Sequence, residues 1–135
     1  MGLVRAKIIL RNPRESQLKP LDTEALVDTG SLHLCVPEHV ALQLRLEELE
    51  KREVTTADAA KRLCSYVGPL EVHFENRACY TGALVLGDEV LLGVLPMDDM
   101  VLVISPSLRT VTVNPQSPNI PSSVVKRARR KIEQG

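Results

Sequence analysis

The residues best suited to chemistry lie in the stretch Ala25-Leu-Val-Asp-Thr-Gly-Ser31. Leu26 and Val27 are apolar strand residues that can anchor in a core. Asp28 follows where the chain must turn sharply out of that strand. A carboxylate held in this way can accept a proton from a bound water. Gly30 gives the turn backbone freedom and lets a ligand approach closely. Thr29 can hydrogen-bond across a symmetry axis and stiffen the turn, and Ser31 can donate a hydrogen bond to the outer oxygen of Asp28. The other candidates are weaker. Asp22, Asp58, Asp88, Asp98 and Asp99 read as surface or turn carboxylates. His33, Cys35 and His39 are close in sequence but lack the paired spacing of a structural zinc site, so no metal is expected. No Ser-His-Asp or Cys-His arrangement has a supporting motif, and no glycine-rich phosphate loop is present, so no cofactor is expected either.

Short strands must position the Asp28 turn. Leu3 to Leu10 begins with strand-like alternation and ends in an apolar run. Arg11 to Pro20 is polar, holds two prolines and predicts a loop. Thr23 to Val27 is a second strand, and Leu32 to Val36 a third, with Leu32, Leu34 and Val36 on one face. Pro37 and Glu38 suit the start of a short helix reaching about Leu44. Glu47 to Glu53 is charged and reads as solvated, and Val54 to Val67 as two strands around the polar Asp58 to Arg62. Gly68-Pro69 marks a bend. Leu70 to Phe74 alternates, with Glu71 and His73 on one side, and Glu75 to Arg77 reads as a hairpin turn. Cys79 to Leu86 is a further strand, Val90 to Gly93 a buried apolar run, and Pro96 to Met100 a helical turn whose early acids suit its dipole. Val101 to Ile104 and Thr110 to Val113 form a last hairpin. This succession predicts an all-β barrel or sandwich with one or two short helices.

With 135 residues the chain has room for one domain and one core. Residues 1–114 carry the strands. Residues 115–135 are first proline-rich, then basic from Lys126 to Lys131, which predicts a mobile tail unless Ile120 to Val125 joins an interface. The 17 basic and 17 acidic residues cancel, and aromatics number only one Phe and two Tyr. Neither field nor stacking platform therefore favours nucleic acid. No apolar run approaches the roughly 18 residues of a membrane helix. The first residues are interrupted by charge and do not form a signal peptide. Three cysteines without such a peptide predict a reduced, cytoplasmic protein.

On two segments the chain resembles the retroviral-type (retropepsin-like) aspartic protease family, including its compact microbial members. The first is Ala25-Leu-Val-Asp-Thr-Gly-Ser31 with the apolar strand and Pro37-Glu38 after it. The second is Leu84-Val-Leu-Gly-Asp-Glu-Val-Leu-Leu-Gly93, in which Leu91, Leu92 and Gly93 match the family's apolar-apolar-Gly loop before a helix. The resemblance covers about Leu3 to Asn114. It implies a closed, mainly antiparallel acid-protease barrel assembled as a twofold homodimer. It further implies an aspartic endopeptidase that hydrolyses peptide or protein substrates with an activated water. Asp28 of each subunit would supply half of one site, since a single Asp-Thr-Gly provides one carboxylate and the reaction uses two. The family's flap, a hairpin that closes over substrate, maps onto Val54 to Tyr66, with Ala57, Asp58, Ala59 and Ala60 at its tip. Two departures are visible. Val94 stands where many members carry Arg or another polar residue, and the flap tip has no glycine; a positive φ there falls most easily on Asp58. These departures motivate an alternative, a homodimeric peptide-binding scaffold of the same fold that does not cleave.

Overall fold

The computed structural model describes residues 3–105 and 107–125. The fold is mostly β, with 48% of it in strands and two short helices. In chain order the strands are β1 (Arg5–Arg11), β2 (Leu21–Val27), β3 (Leu34–Val36), β4 (Glu47–Thr55), β5 (Lys61–Phe74), β6 (Arg77–Val85), β7 (Leu91–Leu92), β8 (Leu102–Ser105) and β9 (Thr110–Val113). Helix α1 (Glu38–Gln43) follows β3, and α2 (Val94–Asp99) follows β7. The main sheet runs β1-β2-β7-β3-β6-β5-β4, and an additional pairing of β1 with β5 closes six of these strands into a barrel. Most pairings are antiparallel. The exceptions, β2 with β7 and β3 with β6, are parallel.

The alternation read in the first strand decides which way β1 faces. Ala6, Ile8 and Leu10 point into the barrel and are nearly sealed from water, while the residues between them are exposed. Leu70, Val72 and Phe74 of β5 meet them from the neighbouring strand. A smaller apolar cluster gathers Cys35, Cys64 and Leu84 against Val54, Tyr66 and Leu91, beside the Asp28 turn. All three cysteines are free and buried. No described helix is long and apolar enough to cross a membrane.

Three expectations are corrected. The charged run from Glu47 belongs to β4, a strand that among the described residues pairs only with β5. It carried no apolar period because nearly all of its residues are exposed. Charges on such an edge discourage pairing with another molecule's edge. The strand after the Asp28 turn begins at Leu34, not Leu32, and Leu32 is 55% exposed. Helix α2 begins at Val94 rather than Pro96, so Asp98 and Asp99 lie in its last turn. The physical reason is that the N–H groups of Val94 and Leu95 already have acceptors, the carbonyls of Ser31 and Leu32, both at 2.9 Å.

Past β9, Arg77 ties the chain back to the barrel. Its side chain is 1% exposed, and its guanidinium donates to the carbonyl oxygens of Met100 and Ser117. Asn76 donates to the carbonyl of Pro118 at 2.9 Å. Ile120, Val124 and Val125 are exposed and in no strand. The basic run from Lys126 onward lies outside the described residues.

Candidate active site

The two parallel pairings place the candidate residues at one end of the barrel. Leu26 pairs with Leu91 and Val27 with Leu92 in parallel register, so β2 and β7 run out together. Asp28 and Gly93 therefore emerge side by side. The N–H of Asp28 donates to the carbonyl of Leu92 at 3.0 Å, which fixes the carboxylate's starting point. Gly30 N–H then donates to Asp28 Oδ1 at 3.0 Å. Ser31 Oγ donates to Oδ2 at 2.8 Å, and Ser31 N–H closes the turn on the Asp28 carbonyl at 3.1 Å. Each carboxylate oxygen thus has a donor within the turn and keeps lone pairs for an outside group. Thr29 is exposed at the tip.

Asp28 opens into a cleft of about 620 Å³. Gly30 and Ser31 line it from the turn, Leu91 from β7, and Ala57 from the hairpin between β4 and β5. Leu92 is fully buried behind the turn. Gly93 packs so closely against the chain at Leu32 and His33 that a Cβ there would stand 2.4 Å from the His33 carbonyl oxygen. The remaining hairpin residues, Asp58, Ala59 and Ala60, form an exposed turn and do not line the cleft. The cleft walls also include Leu32, His33, Cys35, Val54, Leu84 and Leu86, which lie in the segments that carry the resemblance but were not singled out as site residues. Their alternating apolar positions signalled strands, but not which wall of which cavity those strands would build.

The hairpin turn is ordered without glycine. The positive φ falls on Ala59, at 66°, rather than on Asp58. Asp58 instead braces the turn: its Oδ1 accepts from Thr56 Oγ1 at 2.5 Å and from Ala60 N–H at 3.3 Å. These bonds, that from Thr56 foremost, hold the Asp58 carboxyl below its ordinary range. Thr56 and Ala60 close the loop with a backbone bond of 2.9 Å. A left-handed alanine costs about 1–2 kcal/mol, part of which glycine would return as extra unfolded-state freedom. Ala59→Gly is therefore expected to raise stability by up to about 1 kcal/mol in chemical denaturation. A clear loss would show that the Ala59 methyl makes a contact that matters.

The chemistry available at this cleft belongs to a carboxylate. Cys35 is no nucleophile: burial first, then the nearby Asp28 carboxylate and Cys64, push its thiol up to about 11, so it is protonated at neutral pH. His33 Nε2 is engaged by Arg52 Nη1 at 3.1 Å. Among the described residues no three His, Cys, Asp or Glu side chains gather in a way that could hold a metal ion. His39 is exposed on α1, apart from the cleft. A carboxylate at a tight turn, braced on both oxygens and facing a partly apolar cleft beneath a hairpin, can position and deprotonate a water beside an extended ligand. No family model matches the chain, and no curated protein matches it.

Proposed function

We propose that this chain is a retropepsin-like aspartic endopeptidase that acts as a homodimer, with the two Asp28 carboxylates sharing one site across a twofold axis. The observation that carries the reading is the braced Asp28 at the mouth of a cleft roofed by the β4–β5 hairpin. In this reading the hairpin is the flap. One Asp28 accepts a proton from the attacking water while its partner, protonated, donates to the carbonyl oxygen of the scissile peptide. Two carboxylates so close hold one proton between them, as is general for aspartic proteases. Cleavage proceeds without a covalent intermediate and requires no cofactor.

The surroundings support a dimer. Leu32 and Leu95 are adjacent, joined by a backbone bond, and both are substantially exposed beside the Asp28 turn. Thr29 stands exposed at the tip, free to hydrogen-bond across the axis. Sedimentation at micromolar concentration is expected to give about twice the chain mass of 14.9 kDa. A strict monomer, even with peptide bound, would rule out this mechanism. The activity itself is tested by incubating the full chain with a broad peptide library from acid to neutral pH. Cleavage that requires Asp28 supports the endopeptidase. Peptide binding without cleavage at any pH favours the scaffold of the same fold.

A further inference from the structure

Three side chains that the proposed chemistry does not use meet around His33, which lines the cleft. His33 stands between the Asp28 turn and β3, Arg52 near the flap end of β4, and Tyr66 on β5. The Arg52 guanidinium carbon lies 4.0 Å from the centre of the Tyr66 ring, and Arg52 Nη1 lies 3.1 Å from His33 Nε2. The imidazole meets Tyr66 edge-on, with ring centres 5.7 Å apart. Tyr66 itself fits only because residue 82 is glycine: a Cβ there would fall 2.4 Å from the ring. Glu50 holds the other side of the guanidinium, at Arg52 Nε, 2.5 Å away. The flap strand is thus fastened to the chain segment that leaves the Asp28 turn.

The fastening depends on charge. A guanidinium has only donors, so His33 Nε2 must be the acceptor, which makes the imidazole neutral with its proton on Nδ1. A proton on Nε2 removes the acceptor and sets two cations at hydrogen-bond distance. Burial, and then the Arg52 charge, hold His33 below the ordinary histidine value. The charged and titratable groups around it are Arg52 and Glu50 from β4 and Tyr66 from β5. Asp28, Cys35 and Glu53 line the same cleft.

We propose that His33 and Arg52 form an acid-released clasp that holds the flap hairpin against the Asp28 turn and so regulates access to the cleft. This rests on the reading of the β4–β5 hairpin as a flap over the proposed site. Since the folded value lies below the unfolded one, the clasp is fully closed above about pH 6.5. It is lost as pH falls through the lowered value of His33. The enzyme would then be restrained near neutrality and opened as pH falls through that value.

The test is amide hydrogen exchange on the full chain at about pH 7.5 and at the lowest pH at which β1 stays protected, corrected for intrinsic exchange chemistry, with β1 as internal reference. Wild-type amides of residues 53–62 are expected to exchange about tenfold faster, relative to β1, at the lower pH. His33→Gln offers Arg52 an amide oxygen that does not titrate, and should keep the hairpin protected at both values. Equal wild-type protection at the two pH values, or the same acid loss in His33→Gln, overturns the proposal. Should His33→Gln fail to fold, imidazole nitrogen shifts in the wild type decide. An Nδ1–H tautomer at neutral pH, titrating together with hairpin loosening, supports the clasp, and an Nε2–H tautomer overturns it. Peptide cleavage is scored separately. A pH-gated hairpin without cleavage keeps the clasp and removes the protease reading, and cleavage under a hairpin indifferent to pH does the reverse.

Discussion

On the proposed endopeptidase mechanism, Asp28→Asn is expected to abolish peptide cleavage while leaving the fold and the proposed dimer intact. The substitution nearly preserves shape, and the turn can keep its bonds. The Asn carbonyl oxygen can accept from Gly30 N–H as Asp28 Oδ1 does at 3.0 Å. The amide NH₂ then faces Ser31 Oγ, now 2.8 Å from Oδ2, and a hydroxyl can rotate from donating to accepting. On that mechanism the chemical loss is complete in both halves of the site. An amide neither takes a proton from water nor shares one with a partner, and in a homodimer a single substitution removes both carboxylates. A positioned acid–base group typically contributes about 10² to 10⁴ in rate, so the combined loss should reach at least the upper end of that range. The measurement compares turnover of one peptide by the two proteins after equal dimer mass and similar melting are confirmed. Comparable turnover by the Asn variant would show that Asp28 is not the acting group.

Gly93→Ala is expected to cause the largest loss of stability from a single methyl group. Its Cβ would lie 2.4 Å from the carbonyl oxygen of His33 and 2.8 Å from the carbonyl carbon and oxygen of Leu32. These are backbone atoms, so no side-chain rotation relieves the overlap. The same few residues carry the bonds from Val94 and Leu95 to Ser31 and Leu32, so any shift pulls α2 away from the Asp28 turn. Overpacking typically costs about 1–3 kcal/mol and occasionally more, and an overlap with backbone puts Gly93 at the upper end, against a total stability of about 5–15 kcal/mol for a typical domain. Gly87→Ala is the matched control. Gly87 has φ 81° but open space around it, so its alanine variant should lose only about 1–2 kcal/mol from backbone strain. Denaturant titration of the two variants separates the effects. Equal losses would show that the packing of Gly93 on the Asp28 turn is not rigid.

The sequence alone determined the parts of this protein that rest on local patterns. Alternation at the start of Leu3 to Leu10 predicted a strand, and β1 forms there at Arg5–Arg11, with Ala6, Ile8 and Leu10 turned into the barrel. The change from apolar strand to Asp28-Thr29-Gly30-Ser31 predicted a turn, and Ser31 was the expected donor to the outer Asp28 oxygen. Pro37 marked the edge of α1. Such features are legible because burial on one side of a strand, or a turn closed within four residues, leaves its mark on adjacent positions.

Only the tertiary structure decided the rest. It made a strand of the charged run from Glu47, by pairing Arg52 with Cys64 and Glu53 with Leu63 across the hairpin. It assigned the positive φ to Ala59 and left Asp58 to brace the turn with its side chain. It buried Arg77 beneath Ser117, forty positions away. It also brought Arg52 to His33, nineteen positions apart, with Tyr66 from a third segment packed against both. Arg52, Asp58, Arg77 and His33 do not differ in type from ordinary surface side chains. Their roles come from strand register and barrel closure, which hydrogen bonds between distant segments fix and which leave no periodic trace along the chain.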